Sequence, residues 1–302
     1  MILRKKTSIY FLAAILILNS LSVSSPLQAA GKETAIAPIV AVINPDWNSE
    51  AEKLYEAASA GLPLPAMETL PAEARQLPNA YRIQKIFFEK LTEKGDAVAG
   101  FKGALTAQAQ MERFAADRPA SAPLLTSGLT LIEDPAVPVE LQAFPGMMLE
   151  VELTYKTKAK ITAPVKDEAE LKELIESVHP SIEVPQLYFQ DMSKVAVFDI
   201  IAAGVGSKKF LVGPAAELSD PDAVSIKLEK DGEVINEGPA TDALGGQWKA
   251  LLWIVNNIVE NGYVIEEGQY IMTGALGKML PAQPGEYKAD FGFTALQFKI
   301  SQ

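Results

Sequence analysis

Residues 149–155 alternate without a break: Leu149, Val151, Leu153 and Tyr155 are apolar, and Glu150, Glu152 and Thr154 stand between them. Side chains two apart on a strand share a face. The segment therefore reads as a β-strand with one side for a core and an acid-bearing side opposite. Two carboxylates close together on one face repel unless water or a cation lies between them. Either the acids line the solvated face of an antiparallel strand, or they form a hard-oxygen site suited to Mg²⁺, Mn²⁺ or Ca²⁺. Glu183, between Ile182 and Val184 on a short run closed by Pro185, is a third acid open to the same two readings.

Elsewhere the chain mixes helix and strand signals. Ser49 and Glu52 have capping-box spacing before a helix with Leu54, Tyr55 and Ala58 inward. Asn79 is placed to cap a second helix through Ile83, Phe87 and Leu91, ended by Gly95. Val98–Phe101 reads as a strand leading into Lys102. Asp167 and Glu170 open a helix whose apolar stripe is Leu171, Leu174, Ile175 and Val178, with His179 as its C-terminal cap. Asp231-Gly232 between two short apolar runs predicts a hairpin. Trp248, Leu251, Leu252, Val255 and Ile258 define a helix stopping at Gly262. Tyr270–Thr273 and Ala289–Lys299 read as closing strands. The proline- and alanine-rich stretch over 115–146 suggests a boundary near residue 125, giving an N-terminal α/β portion over 31–125 and a β-rich domain over 126–302.

The first thirty residues have the layout of a secretory signal peptide. A basic start (Arg4, Lys5, Lys6) precedes an apolar run of ten residues, Ile9–Leu18, and small residues follow as far as Ala29 and Ala30. The run falls short of the ~20 residues of a membrane span. The expectation is export to the periplasm or beyond, with cleavage after Ala29 or Ala30 and no membrane attachment afterwards. A net charge of -11 argues against a nucleic-acid partner. The absence of cysteine excludes disulfides, thiolate metal sites and cysteine nucleophiles. With His179 the only histidine, and with neither a nucleophile elbow nor a Walker loop, nucleophilic and nucleotide chemistry find no motif.

Lys102 lies in Gly100-Phe101-Lys102-Gly103-Ala104-Leu105-Thr106, where apolar neighbours could depress its pKa and make it a base, or where it could be an ordinary exposed lysine. Gly204, Gly206 and Ser207 form a flexible turn, and Thr273-Gly274-Ala275 a small-residue turn able to present backbone N–H groups to an anion.

Read in order, these segments resemble the 2-keto-4-pentenoate hydratase and oxalocrotonate decarboxylase family of the fumarylacetoacetate hydrolase superfamily. The likeness rests on Asn79–Gln84, Gly100–Thr106, Leu149–Glu152, Ser181–Val184, Leu252–Asn256 and Thr273–Leu276. The resemblance implies an α+β, β-rich fold: a mixed β-sandwich or roll with a small N-terminal α/β portion. It implies Mg²⁺ or Mn²⁺ held by Glu150, Glu152 and Glu183, with Lys102 and Ser207 catalytic and Leu105, Thr273 and Gly274 binding substrate. It further implies a small 2-keto acid as partner, assembly into a homo-oligomer, and a hydro-lyase adding water to an unsaturated acid such as 2-hydroxypenta-2,4-dienoate through a metal-stabilised enolate. Decarboxylation, tautomerisation or C–C hydrolysis on the same scaffold, or non-catalytic binding of a 2-keto acid, are the alternatives. The chain departs from the pattern at Ala120 and Ala122, where an acid and a glycine are usual, and over Ala202–Ser207, where a glycine replaces an asparagine-type position.

Overall fold

A computed structural model describes residues 45–302. The signal peptide expected over 1–30 lies outside the described residues. In chain order the helices are α1 (Trp47–Ser59), α2 (Leu77–Glu93), α3 (Gln108–Arg113), α4 (Glu168–Glu173), α5 (Val197–Ala202) and α6 (Gln247–Glu260). The strands are β1 (Val98–Ala104), β2 (Ala120–Leu125), β3 (Leu129–Leu131), β4 (Val139–Gln142), β5 (Met148–Thr157), β6 (Ile175–Val184) and β7 (Lys209–Val212). They continue as β8 (Ser225–Lys230), β9 (Glu233–Pro239), β10 (Tyr270–Met272), β11 (Leu280–Pro281), β12 (Gly285–Asp290) and β13 (Ala295–Ser301).

The strands build two sheets. The larger runs β2-β1-β10-β5-β6-β7-β3, with β11 pairing onto β5; the smaller runs β4-β13-β12-β8-β9. The architecture is the mixed α and β, strand-rich one that the resemblance implies. The expected boundary near residue 125 falls at the end of β2, inside the larger sheet, which draws strands from both sides of it.

Strand β5 is buried along almost its whole length. Its apolar row, Leu149, Val151, Leu153 and Tyr155, joins one core with α6 residues Leu251, Ile254 and Val255 and with Leu228, Tyr287 and Phe298 of the smaller sheet. A second core gathers Leu54, Ile83 and Phe87 of α1 and α2, Phe198 and Ile201 of α5, and Leu105 beyond β1. Close packing of α6 dictates Gly103, because a Cβ there would lie 2.3 Å from Ile254 Cδ1.

Local structure departs from expectation in three places. Helix α1 is capped by the Asp46 carboxylate, which accepts from Asn48 N and Ser49 N, so Ser49 lies inside the helix. Helix α2 starts two residues before Asn79, with Pro78 in its first turn, where a missing N–H leaves no helical bond unmade. The helix expected to run to Val178 ends at Glu173, and β6 takes over from Ile175. Val178 packs in the sheet core, and His179 is a mid-strand residue whose Nδ1–H donates to Gly213 O (2.8 Å) and whose Nε2 lies 2.8 Å from Ser177 Oγ, rather than a helix cap. Pairing with β5 on one side and β7 on the other outweighs the local helical spacing. The hairpin at Asp231-Gly232, the α6 helix and the closing strands form as expected. No helix among the described residues is long and apolar enough to cross a membrane.

Candidate metal centre

Strand register brings the three acids together. Glu150 and Glu152 share a face by alternation, and the antiparallel pairing of β5 with β6 sets Glu183 directly opposite Glu150 and Ser181 opposite Glu152. Each glutamate offers a carboxylate oxygen within 4.8 Å of the others. Exposure is 7% at Glu150 and 0% at Glu152 and Glu183, which rules out the solvated-face reading. The acid-bearing face is roofed by the second core and by the loop after β1.

One oxygen of each carboxylate is held by a donor from elsewhere in the fold. Gln110 Nε2, on α3, donates to Glu150 Oε1 at 3.1 Å. Gly274 N donates to Glu152 Oε2 at 2.7 Å, from a turn with φ of 100° where a Cβ would lie 1.9 Å from Thr106 Oγ1. Lys102, 1% exposed on β1, donates to Glu183 Oε1 and to Val205 O (3.1 Å). Val205 itself sits at φ 52°, strained for a β-branched residue, and that conformation carries its carbonyl towards Lys102.

Two carboxylate oxygens, Glu152 Oε1 and Glu183 Oε2, are buried without any hydrogen-bond partner. Three carboxylates against one ammonium leave two negative charges uncompensated in a buried space, and that imbalance fits one divalent cation. The donors are all hard oxygens, so the residues suit Mg²⁺, Mn²⁺ or Ca²⁺ and offer nothing to a thiophilic ion.

The same burial sets the titration. Removal from water, then the charge of Glu183, push the Glu150 carboxyl up to about 8, against the opposing pull of Lys102 and Gln110. Burial and the charges of Glu183 and Glu150 push Glu152 well above the ordinary carboxylate value. For Lys102, burial alone favours the neutral amine, but the three carboxylates outweigh it and raise its pKa. Lys102 is thus neither the exposed lysine nor the depressed-pKa base considered from the sequence; it is a buried ammonium.

A cavity of about 40 Å³ opens beside this cluster, lined by Lys102, Glu150, Gln110 and an apolar wall that includes Leu105, Phe114, Ile200 and Val205. Leu105, expected to bind substrate, lines this cavity. Gly274 meets the centre through its N–H. The Thr273 hydroxyl is engaged elsewhere, 2.8 Å from Gln247 Oε1 and 3.1 Å from Leu153 O. Ser207 is not brought to the centre: it lines a separate groove with Tyr188 and Lys208. The turn residue that does reach the centre is Val205, two positions earlier, through its backbone carbonyl. Asp117 is on the surface, paired with Arg118 at 3.1 Å. Gln110, the Val205 carbonyl and Thr106, whose buried Oγ1 has no partner, were not singled out from the sequence. Thr106 sits inside the Gly100–Thr106 segment, so its position was visible; Gln110 and Val205 carry no sequence signal.

No family model matches the sequence. Among curated proteins it is 28% identical to a 2-keto-4-pentenoate hydratase from Burkholderia vietnamiensis, over 80% of this chain and 92% of that protein. It is 25% identical to a 4-oxalocrotonate decarboxylase from Pseudomonas sp. strain CF600, over 69% of this chain and 78% of that protein. Among solved structures, 4-oxalocrotonate decarboxylase from Pseudomonas putida G7, complexed with magnesium and adipate, superposes with a TM-score of 0.75 at 20% identity, covering 84% of this chain and 97% of that one. Fumarylpyruvate hydrolase from Pseudomonas aeruginosa, in complex with Mn²⁺ and pyruvate, gives 0.53 at 13% identity, over 66% and 88%. The fold is the one these solved structures have, with a buried acidic cluster set into it. In sequence the chain is similar to curated 2-keto-4-pentenoate hydratases and 4-oxalocrotonate decarboxylases, the likeness that the sequence motifs indicated.

Proposed function

We propose that this chain is a divalent-metal-dependent hydro-lyase acting on a small unsaturated 2-keto acid. The observation that carries the reading is the buried Glu150–Glu152–Glu183 cluster, with two partnerless carboxylate oxygens beside a buried ammonium. Glu150, Glu152 and Glu183 would hold Mg²⁺ or Mn²⁺, and such an ion supplies Lewis-acid polarisation of a keto oxygen. Gln110 and Gly274 N–H orient two of the three ligands, as outer partners of a metal site do. Lys102 holds a proton at Nζ against the cavity, with two of its N–H groups engaged by Glu183 and Val205, and acts as the proton donor to the substrate. Leu105, Phe114 and Ile200 keep bulk water from the reacting carbon.

One observation favours a second reading. Lys102 and Glu150 are the titratable groups lining the cavity, so no separate base stands ready to activate water. Decarboxylation, which needs no added water, is the runner-up. Export ahead of catalysis and assembly of identical subunits complete the proposal; N-terminal sequencing of the secreted chain and sedimentation test them.

The experiment is calorimetric Mn²⁺ binding to the full chain with and without oxalate, followed by turnover of unsaturated 2-keto acids. Oxalate should tighten Mn²⁺ binding, and a 2-keto acid should be consumed. Absence of metal binding in both conditions overturns the reading, and metal binding without turnover leaves a binding protein.

A further inference from the structure

The turn over Gly204–Ser207 stands out in the sequence, yet its Ser207 end lies away from the metal centre and borders a groove of about 490 Å³. That volume falls among those of small-molecule sites. No residue lines both this groove and the metal-centre cavity. The groove's walls are largely apolar: Leu62 and Leu64 after α1, Phe87 and Leu91 on α2, and Phe144 and Tyr188 from the segments flanking β5 and β6. Leu62 keeps 58% of its surface exposed at the edge of this lining, so the apolar surface continues outward to solvent.

Charge marks one edge of the groove. Lys208 is exposed and Lys209 half-buried where β7 begins, and neither enters an ion pair among the described residues. The only acid in the lining, Asp96, is already engaged: it accepts from Ala97 N at 2.8 Å, from Ser127 N at 3.2 Å and from the Ser127 hydroxyl. Gln186 is committed too, with Nε2 donating to Pro145 O at 2.8 Å. The backbone that presents the lysines is fixed in advance. Ser207 N donates to Gly204 O at 2.9 Å, and Gly206 O accepts from Gln186 N at 2.8 Å. Gly204, at φ 76°, packs the turn onto α2 so closely that a Cβ there would lie 2.5 Å from Phe88 Cε2. A preformed apolar trough with two free ammonium groups at its edge is complementary to an anion that carries an apolar tail. A small hydrophilic anion leaves the apolar walls wet, and a neutral hydrocarbon leaves the lysines unused.

We propose that this groove is a second binding site, taking a free fatty acid whose carboxylate meets Lys208 and Lys209 and whose tail lies against Leu64, Phe87, Leu91 and Phe144. The ammonium groups give charge-assisted hydrogen bonds to the head, and each methylene removed from water adds to affinity.

The test is calorimetry on the full chain in EDTA, so that no metal takes part, with hexanoate, octanoate and decanoate, and with 1-octanol as the uncharged comparison. Affinity should rise by up to about fourfold per added methylene, and octanoate should bind about tenfold tighter than octanol. Lys208→Met/Lys209→Met should abolish the preference for the acid over the alcohol. Leu62→Asn should weaken decanoate several-fold while sparing the charge preference. Unchanged thermal melts of both variants report an intact fold. Absence of saturable binding, affinity independent of tail length, or a charge preference that survives in the lysine variant overturns the proposal. Binding to phosphatidylglycerol vesicles without binding of the free acids overturns it as well, in favour of a membrane surface. None of these outcomes bears on the metal centre, which Mn²⁺ and oxalate test separately.

Discussion

Glu152→Gln tests the metal centre through stability, independently of turnover. In the metal-free fold Glu150 is pushed up to about 8 from an ordinary 4.5. Its folded value lies above its unfolded one, so its contribution is whole below about pH 4.5 and is lost as pH rises towards 8. At 1.36 kcal/mol per unit, Glu150 alone removes about 3 kcal/mol of stability from the metal-free protein between pH 5 and pH 8. Glu152 is raised in the same sense and adds to the loss. A divalent ion reverses this by neutralising the cluster, and at a hundredfold excess over its Kd it adds about 2.7 kcal/mol. In Glu152→Gln one raised carboxyl is gone and the amide can still accept from Gly274 N–H. The variant should therefore show a shallower pH slope and no response to Mn²⁺. Urea denaturation from pH 5 to 8, with EDTA and with Mn²⁺, gives the numbers. A flat profile in the unsubstituted metal-free protein, or full Mn²⁺ stabilisation of Glu152→Gln, would refute the reasoning.

Lys102→Met should retain Mn²⁺ binding by calorimetry but lose turnover by about a hundredfold or more, because it removes the buried ammonium proposed as proton donor while leaving all three carboxylates; undiminished turnover would assign the proton transfer to another group. Gln110→Ala should weaken Mn²⁺ binding about tenfold, since the amide is the hydrogen-bond donor that orients Glu150; a titration that matches the unsubstituted protein would show that α3 has no part in the centre. Gly274→Ala should lower the stability by about 2 kcal/mol or more, from a positive φ and a Cβ 1.9 Å from Thr106 Oγ1, read as a fall in Tm.

What was legible in the sequence was periodic or collinear. Alternation over 149–155 specified β5 and put Glu150 and Glu152 on one face, the apolar spacing of 248–258 specified α6, and Asp231-Gly232 specified its hairpin. These signals depend on neighbours in the chain, and so they survive without knowledge of the fold. The ordered motifs carried the family resemblance, and through it pointed to the three glutamates and Lys102, which the fold brings into one buried cluster. Local spacing misled at Leu174–Val178, where a helical stripe was overridden by pairing on both edges of β6.

Tertiary structure alone decided whether the acid face met water or a buried centre. Alternation sorts side chains to two faces but says nothing of what covers either one. The covering came from α5 and the loop after β1, distant in sequence. The β5–β6 register set Glu183 opposite Glu150, and the packing of β1 against β10 placed Lys102 among the acids and reversed the direction of its pKa shift. Gln110, the Val205 carbonyl and the Gly274 N–H reached the centre through backbone course and through-space contact, which a linear pattern does not encode. The sequence thus determined which groups the protein carries to its site, and the fold determined their charge, because desolvation and the proximity of like charges exist only once the chain has closed around them.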